Sequence, residues 1–353
     1  RLHKSPWHHS MLTRAAFQNL LHRRGTLIID GALATELEKR GHDLNHPLWS
    51  GKALQYDPAS IQDVHLSYYM AGADIAITSS YQVSTHGLKT HFAMDEDEAV
   101  ALMKRSVALA DNARRGACES GQIEEGRELL VAGSVGPYGA YLSDGSEYRG
   151  DYQRTGAEFQ AFHRPRIAAL VDAGADLLAI ETMPSYPEIK ALLALLKAEF
   201  PSTIAWVSCT LRDAAHLSDG TPMADVFDLA QSSDQVAAFG INCVPENIVT
   251  VALQDLTQHA RSRESFEHGL PLLCYPNSGE TYDAGTKTWR GQPPQQSLLS
   301  ARVQSWRDAG ARLIGGCCRT GPADTQTIST VIHGGSSIET LTDTELVARA
   351  SRA

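Results

Sequence analysis

With 353 residues, 42% of them hydrophobic and 20% charged, the chain has the balance of a soluble globular protein and enough apolar material for two average domains or one large barrel. A net charge of −10 without a basic run makes nucleic acid and acidic membrane surfaces poor partners, and leaves small molecules as the expected ones. No run reaches the roughly 18 apolar residues of a membrane span.

Residues 1–24 read as an N-terminal extension. The part before Met11, with His8-His9-Ser10, has the look of added sequence. Leu12, Ala16, Leu20 and Leu21 alternate with Arg14, Arg23 and Arg24, a pattern that suits a short helix closing the bottom of a barrel. The same basic, amphipathic pattern also occurs in mitochondrial transit peptides. The six cysteines do not form a short secreted framework, so reduced thiols in the cytoplasm are expected, with a mitochondrial address left open by the N-terminus.

From residue 25 onward an internal repeat organises the chain. Ala71-Gly72-Ala73-Asp74, Ala173-Gly174-Ala175-Asp176 and Ala309-Gly310-Ala311-Arg312 each follow a helical pattern and precede a short apolar run. A glycine after a helix suits a left-handed cap, and an apolar run without alternation suits a strand buried on both faces. Strands are predicted at Thr26–Asp30, Asp74–Thr78, Leu129–Val135, Asp176–Glu181, Ile204–Thr210, Val236–Cys243, Pro271–Pro276 and Arg312–Cys317. Eight strands alternating with helices predict a single α/β domain, a (β/α)8 TIM barrel over residues 25–335 with a tail at 336–353. An open doubly wound sheet is the fold alternative. The stretches His42–Asp57, Pro137–Gln153 and Asn277–Gln296 are expected as long loops on the active face.

Barrel chemistry sits at the C-terminal ends of the strands. The residue seven after each repeat glycine is Ser79, Glu181 and Cys317, and these lie on even-numbered strands, as does Cys243. Alternate strands contribute to one interior layer, so Glu181, Cys243 and Cys317 should converge, with Cys318 on the following turn. Three thiolates on a rim suit zinc with a fourth position open, the catalytic arrangement. A vicinal disulfide or plain burial remain alternatives for the cysteine pair, and Cys209 and Cys274 read as small buried hydrophobes. A thiol placed in the open position would be held as thiolate, so no separate base is needed. Asp30 could receive an ammonium group or cap a helix, and Glu181 could do the former or form a structural ion pair. The Gly31-Ala32 backbone opening the next helix could meet a carboxylate.

The run Asp30-Gly31-Ala32-Leu33-Ala34-Thr35-Glu36-Leu37, together with Gly133–Tyr138, Glu181–Pro184, Gly240–Cys243 and Gly315–Arg319, resembles the homocysteine S-methyltransferases over about residues 25 to 332. The resemblance implies a (β/α)8 barrel with zinc on Cys243, Cys317 and Cys318. It implies that Asp30, Glu181 and the Gly31-Ala32 region hold the amino-acid end of homocysteine, that Thr78 adds a polar contact, and that Asn242 takes the fourth zinc position before substrate arrives. Ile77 stands where betaine-using relatives have a glutamine, and one barrel has no room for the modules of the cobalamin route. Tyr138, Tyr141, Asp144, Glu147 and Tyr148 look like the branch using a sulfonium donor, S-methylmethionine first and S-adenosylmethionine second, since aromatic and acidic groups suit a cation. Two other functions compete: a metal-free barrel lyase or isomerase binding phosphate at Asn277-Ser278-Gly279 and Gly315-Gly316, and a non-enzymatic zinc-thiol redox sensor.

Overall fold

The repeat glycines adopt the backbone their positions call for. In a computed structural model describing residues 12–44, 46–262, 269–279, 281–283, 288–290 and 296–334, Gly72, Gly174 and Gly310 have φ of 109°, 86° and 110°. Each ends a helix and turns the chain into a buried strand. The stretch before Met11, the tail 336–353 and parts of Asn277–Gln296 lie outside the described residues.

Eight parallel strands form one sheet: β1 (Leu27–Ile28), β2 (Ile75–Ile77), β3 (Leu130–Val135), β4 (Leu177–Met183), β5 (Ala205–Cys209), β6 (Val236–Asn242), β7 (Leu272–Tyr275) and β8 (Ala311–Ile314). Their spatial order is β1-β8-β7-β6-β5-β4-β3-β2. A parallel bridge between Ile29 and Ile75 joins the two ends of that order, supported by Asp30 N–H to Ile75 O at 3.0 Å. This closure makes the sheet a barrel and removes the doubly wound alternative.

Side-chain parity then separates two cores. Leu130 and Ala132 of β3, Leu177 and Ala179 of β4, Trp206 of β5 and Leu273 and Tyr275 of β7 pack together inside the barrel. Their sequence neighbours Val131, Leu178, Val207 and Cys274 pack outward in the larger core that includes the surrounding helices. Phe17, Leu20 and Leu21, from the helix Arg14–Arg24, join the inner cluster. That helix is capped by Thr13, whose hydroxyl accepts from Ala16 N–H.

The long loops carry elements of their own. His42–Asp57 includes a helix at Ser50–Tyr56, and Pro137–Gln153 includes Tyr138–Leu142 and a 3-10 turn at Ser146–Tyr148. Within Asn277–Gln296, Thr281–Asp283 pairs antiparallel with Thr288–Arg290. Among the described residues no helix is long and apolar enough to cross a membrane.

Candidate active site

Cys243, Cys317 and Cys318 converge, with their sulfurs all within 4.8 Å of one another. Cys243 leaves β6 with a left-handed backbone, φ 53°, and Arg319 just after the pair has φ 68°. Such angles cost energy in residues other than glycine and persist only where surroundings hold them. Here the loop after β7 does the holding. Cys243 N–H donates to Tyr275 O at 3.2 Å and Cys317 N–H to Pro276 O at 2.7 Å. Cys318 N–H donates to Asn277 Oδ1 at 3.2 Å. Gly240 and Gly315 allow the strands to approach: a Cβ on either would overlap the backbone of Leu273 or of Ile29 and Asp30.

All six cysteines are free thiols, and Cys243 Sγ lies 3.8 Å from Cys318 Sγ, far beyond a disulfide bond. Hydrogen bonds from the Cys317 and Cys318 thiols hold the Cys243 sulfur well below the ordinary thiol range, and those two are pushed up in turn. The cluster could hold a metal ion. Cys209 and Cys274 are buried among apolar side chains, which pushes both thiols up. Cys118 packs near Leu129, at the N-terminal end of β3.

Glu181 points into the barrel from β4. Ser134 Oγ donates to one of its carboxylate oxygens, and Tyr275 OH donates to the other at 3.2 Å. Burial pushes its pKa up to about 7 despite these two donors. Asp30 is buried as well and is raised well above the ordinary carboxylate range, first by burial and further by the charge of Glu181. Its Oδ2 accepts Ile77 N–H at 2.9 Å. Neither carboxylate has an ion-pair partner among the described residues. Two buried acids that lack a cation form a ready site for one.

Gly31 lies against Tyr68, and a Cβ there would come within 2.9 Å of the Tyr68 and Thr320 hydroxyls. Ala32 N–H is already engaged by Thr320 O at 3.1 Å. What the segment offers a carboxylate is the first turn of the helix Leu33–Lys39, where N–H groups precede the first intrahelical bonds. Thr78 Oγ1 accepts Ser134 N–H at 2.9 Å and bonds Ser80 Oγ at 2.8 Å, which ties β2 to β3. Ser79, at the repeat position of Glu181 and Cys317, is fully buried with an unpartnered hydroxyl. Asn242, at the end of β6, has both ends of its amide engaged by Thr182. Its Oδ1 accepts Thr182 N–H at 2.8 Å and its Nδ2 donates to Thr182 Oγ1 at 2.7 Å, holding Thr182 at φ 57° beside Glu181.

The 3-10 turn Ser146–Tyr148 lies over this rim, with Tyr148 OH 3.6 Å from Cys243 Sγ. Burial pushes the neighbouring Glu147 carboxyl up to about 7, and charge on Cys243 and Asp144 adds to the shift.

A family model described as homocysteine S-methyltransferase matches residues 27–332. The chain belongs to the homocysteine S-methyltransferase family. The homocysteine S-methyltransferase of Escherichia coli is 52% identical over 308 residues, 86% of this chain and 94% of that protein. Homocysteine S-methyltransferase YbgG of Bacillus subtilis is 45% identical over 316 residues, 88% and 96% of the two chains. The crystal structure of the Escherichia coli homocysteine methyltransferase MmuM in its metallated form superposes with a TM-score of 0.78 at 48% identity, covering 89% of this chain and 99% of that one.

Within this methyltransferase, several residues frame the site in ways that the sequence did not assign to them. Ser134 and Tyr275 fix Glu181, and Asn277 fixes Cys318. Behind the loop, Glu188 accepts Tyr138 N–H at 2.6 Å, bonds His163 Nε2 at 2.6 Å and accepts the Tyr152 hydroxyl. Arg166 joins His163 Nδ1 at 2.9 Å and donates to Tyr81 O at 2.7 Å and Gly136 O at 2.5 Å. This buried network links the loops after β2, β3 and β4. Strand parity puts Ser134, Glu181 and Tyr275 inside the barrel, so alternation was the available signal for the first two partners. The network behind the loop has no such local mark.

Proposed function

We propose that this enzyme transfers a methyl group from a sulfonium donor, S-methylmethionine ahead of S-adenosylmethionine, to the sulfur of L-homocysteine, with zinc on Cys243, Cys317 and Cys318. The observation carrying this reading is the three-thiol cluster next to two buried carboxylates without a cation.

The donor set fits zinc. A tetrahedron with zinc–sulfur bonds of about 2.3 Å has edges of about 3.8 Å, the separation of the Cys243 and Cys318 sulfurs, 3.8 Å. Bound zinc supplies a Lewis acid that holds a substrate thiol as thiolate at neutral pH. Glu181 and Asp30 bind the α-ammonium of homocysteine, and the first helical turn behind Gly31 and Ala32 receives its carboxylate. Thr78 holds the rim beside them, and Asn242 braces the Thr182 turn.

In the reaction the homocysteine sulfur attacks the methyl carbon of the donor. The donor's carbon–sulfur bond breaks and its electron pair returns to the donor sulfur, which becomes a neutral thioether. The positive and negative charges cancel, and with S-methylmethionine both products are methionine. The Tyr138, Tyr141, Asp144, Glu147 and Tyr148 loop supports a cationic donor.

Two other readings fare worse. A phosphate would need free N–H groups after β7 and β8, yet Ser278 N–H donates to Cys318 O at 3.1 Å, Gly315 N–H to Cys274 O at 3.0 Å and Gly316 N–H to Asp30 O at 3.1 Å. A redox sensor leaves the buried Asp30 and Glu181 without purpose. Free thiols and bacterial relatives support a cytoplasmic location.

The test is purified protein with zinc, homocysteine and each donor in turn, scored for methionine. S-methylmethionine should give the highest kcat/KM, and chelation should abolish turnover. Absence of methionine with either sulfonium, or full activity after metal removal, refutes the reading.

A further inference from the structure

Glu147 is placed in a way that neither packing nor pairing explains. One carboxylate oxygen, Oε2, is buried without a hydrogen-bond partner. Arg149, two residues along the chain, makes no hydrogen bond to it and acts only as a nearby charge, because its guanidinium bonds Asp151 Oδ2 at 2.9 Å, Asp144 O at 3.1 Å and Ser146 Oγ at 3.1 Å. No ion pair reaches Glu147 from any described residue. A carboxylate oxygen buried with no donor costs stability, which points to a positive ligand at that oxygen.

The backbone around it is built to hold that position. A Cβ on Gly139 would come within 2.6 Å of Glu147 N, so only glycine lets the two segments touch. Gly150 closes the loop at φ 66°, where a Cβ would overlap Pro184 O at the end of β4. Gly150 N–H donates to Ser146 O at 2.9 Å across the turn. The turn therefore sits on the rim, with Tyr148 OH 3.6 Å from Cys243 Sγ.

We propose that Glu147 is a specificity-determining residue whose carboxylate faces the positive sulfur of the methyl donor and selects sulfonium over neutral thioether. This rests on the sulfonium-donor reading above. Methyl transfer between two sulfurs is an in-line displacement, so the donor sulfur lies beyond the methyl carbon as seen from the acceptor. With the acceptor at the cysteine rim, the space beyond the methyl lies toward the 3-10 turn. Homocysteine's own ammonium has Asp30 and Glu181, which leaves Glu147 for the second cation. Because the donor's charge disappears during transfer, a carboxylate there binds ground state more strongly than transition state.

The test compares Glu147→Gln with wild type. Calorimetric titration without homocysteine should show S-methylmethionine and trimethylsulfonium, which has no ammonium group, each binding roughly ten- to hundredfold more weakly to the variant. In turnover, the S-methylmethionine KM should rise by more than kcat/KM falls, with the homocysteine KM and metal content unchanged and the melting temperature not lowered. Glu147→Asp should recover part of the affinity. Unchanged binding of both sulfoniums refutes the assignment, as does a loss confined to S-methylmethionine, which would give Glu147 to the donor's ammonium instead. Failure of the wild-type protein to make methionine from S-methylmethionine would count against the donor reading, whereas normal wild-type turnover with an indifferent variant counts against Glu147 alone.

Discussion

Tyr275 reaches across the barrel from β7 to donate its hydroxyl to Glu181 at 3.2 Å. The same oxygen takes Trp206 Nε1–H at 3.1 Å and lies 2.6 Å from Ser208 Oγ. One hydroxyl thus satisfies two buried polar groups and aims the carboxylate proposed to meet homocysteine. Tyr275→Phe keeps the ring and leaves those groups short of a partner, which costs about 1–3 kcal/mol. Denaturant unfolding should show that loss, and the homocysteine KM should rise several-fold while metal content stays constant.

Cys317→Ala, Cys318→Ala and Cys243→Ala should each lose most of the bound zinc and turnover, because a tetrahedral site with two thiolates left is poorly held. Metal analysis of the purified variants checks this. Cys118→Ala should retain both properties. Peroxide should release the metal from the wild type, and reductant with zinc should restore activity.

Glu181→Gln keeps shape and removes charge. Losing a charge-assisted hydrogen bond costs about 1.5–3 kcal/mol, or roughly one to two decades in affinity. Steady-state kinetics should place that loss in the homocysteine KM. 3-Mercaptopropionate, which lacks the ammonium, should react equally with both proteins. A kcat loss with normal homocysteine binding would make Glu181 a base.

The raised pKa of Glu181 also sets a pH dependence in the metal-free protein. Its folded value of about 7 lies above the ordinary glutamate value of 4.5, so the folded state holds a proton that the unfolded state gives up. Stability from this group is therefore present below about pH 4.5 and is lost as pH rises toward 7 and beyond, by up to about 3 kcal/mol. Urea unfolding of metal-free, reduced wild type and Glu181→Gln at pH 5 and 7.5 should show the wild type falling relative to the variant. A parallel pH response of the two proteins contradicts it.

The barrel was legible in the chain because its marks are local. A helix-ending glycine at 72, 174 and 310 answers to backbone sterics within a few residues, and the unbroken apolar runs answer to burial on both faces. Cys317 could be joined to Cys243 by their places on even-numbered strands, with Cys318 on the turn that follows. Tertiary structure decided what parity does not encode. Closure came from the Ile29–Ile75 bridge. Asn242 turned to Thr182 rather than outward, because the left-handed backbone there needed both ends of its amide. Ala32 used its N–H on Thr320, a residue that only the closed barrel brings near. Glu147 was left with one unpartnered carboxylate oxygen because Arg149, two residues along the chain, bonds Asp151 instead. Each of these outcomes depends on which groups compete for one donor or acceptor across the fold, and that competition is settled only when the strands are in register.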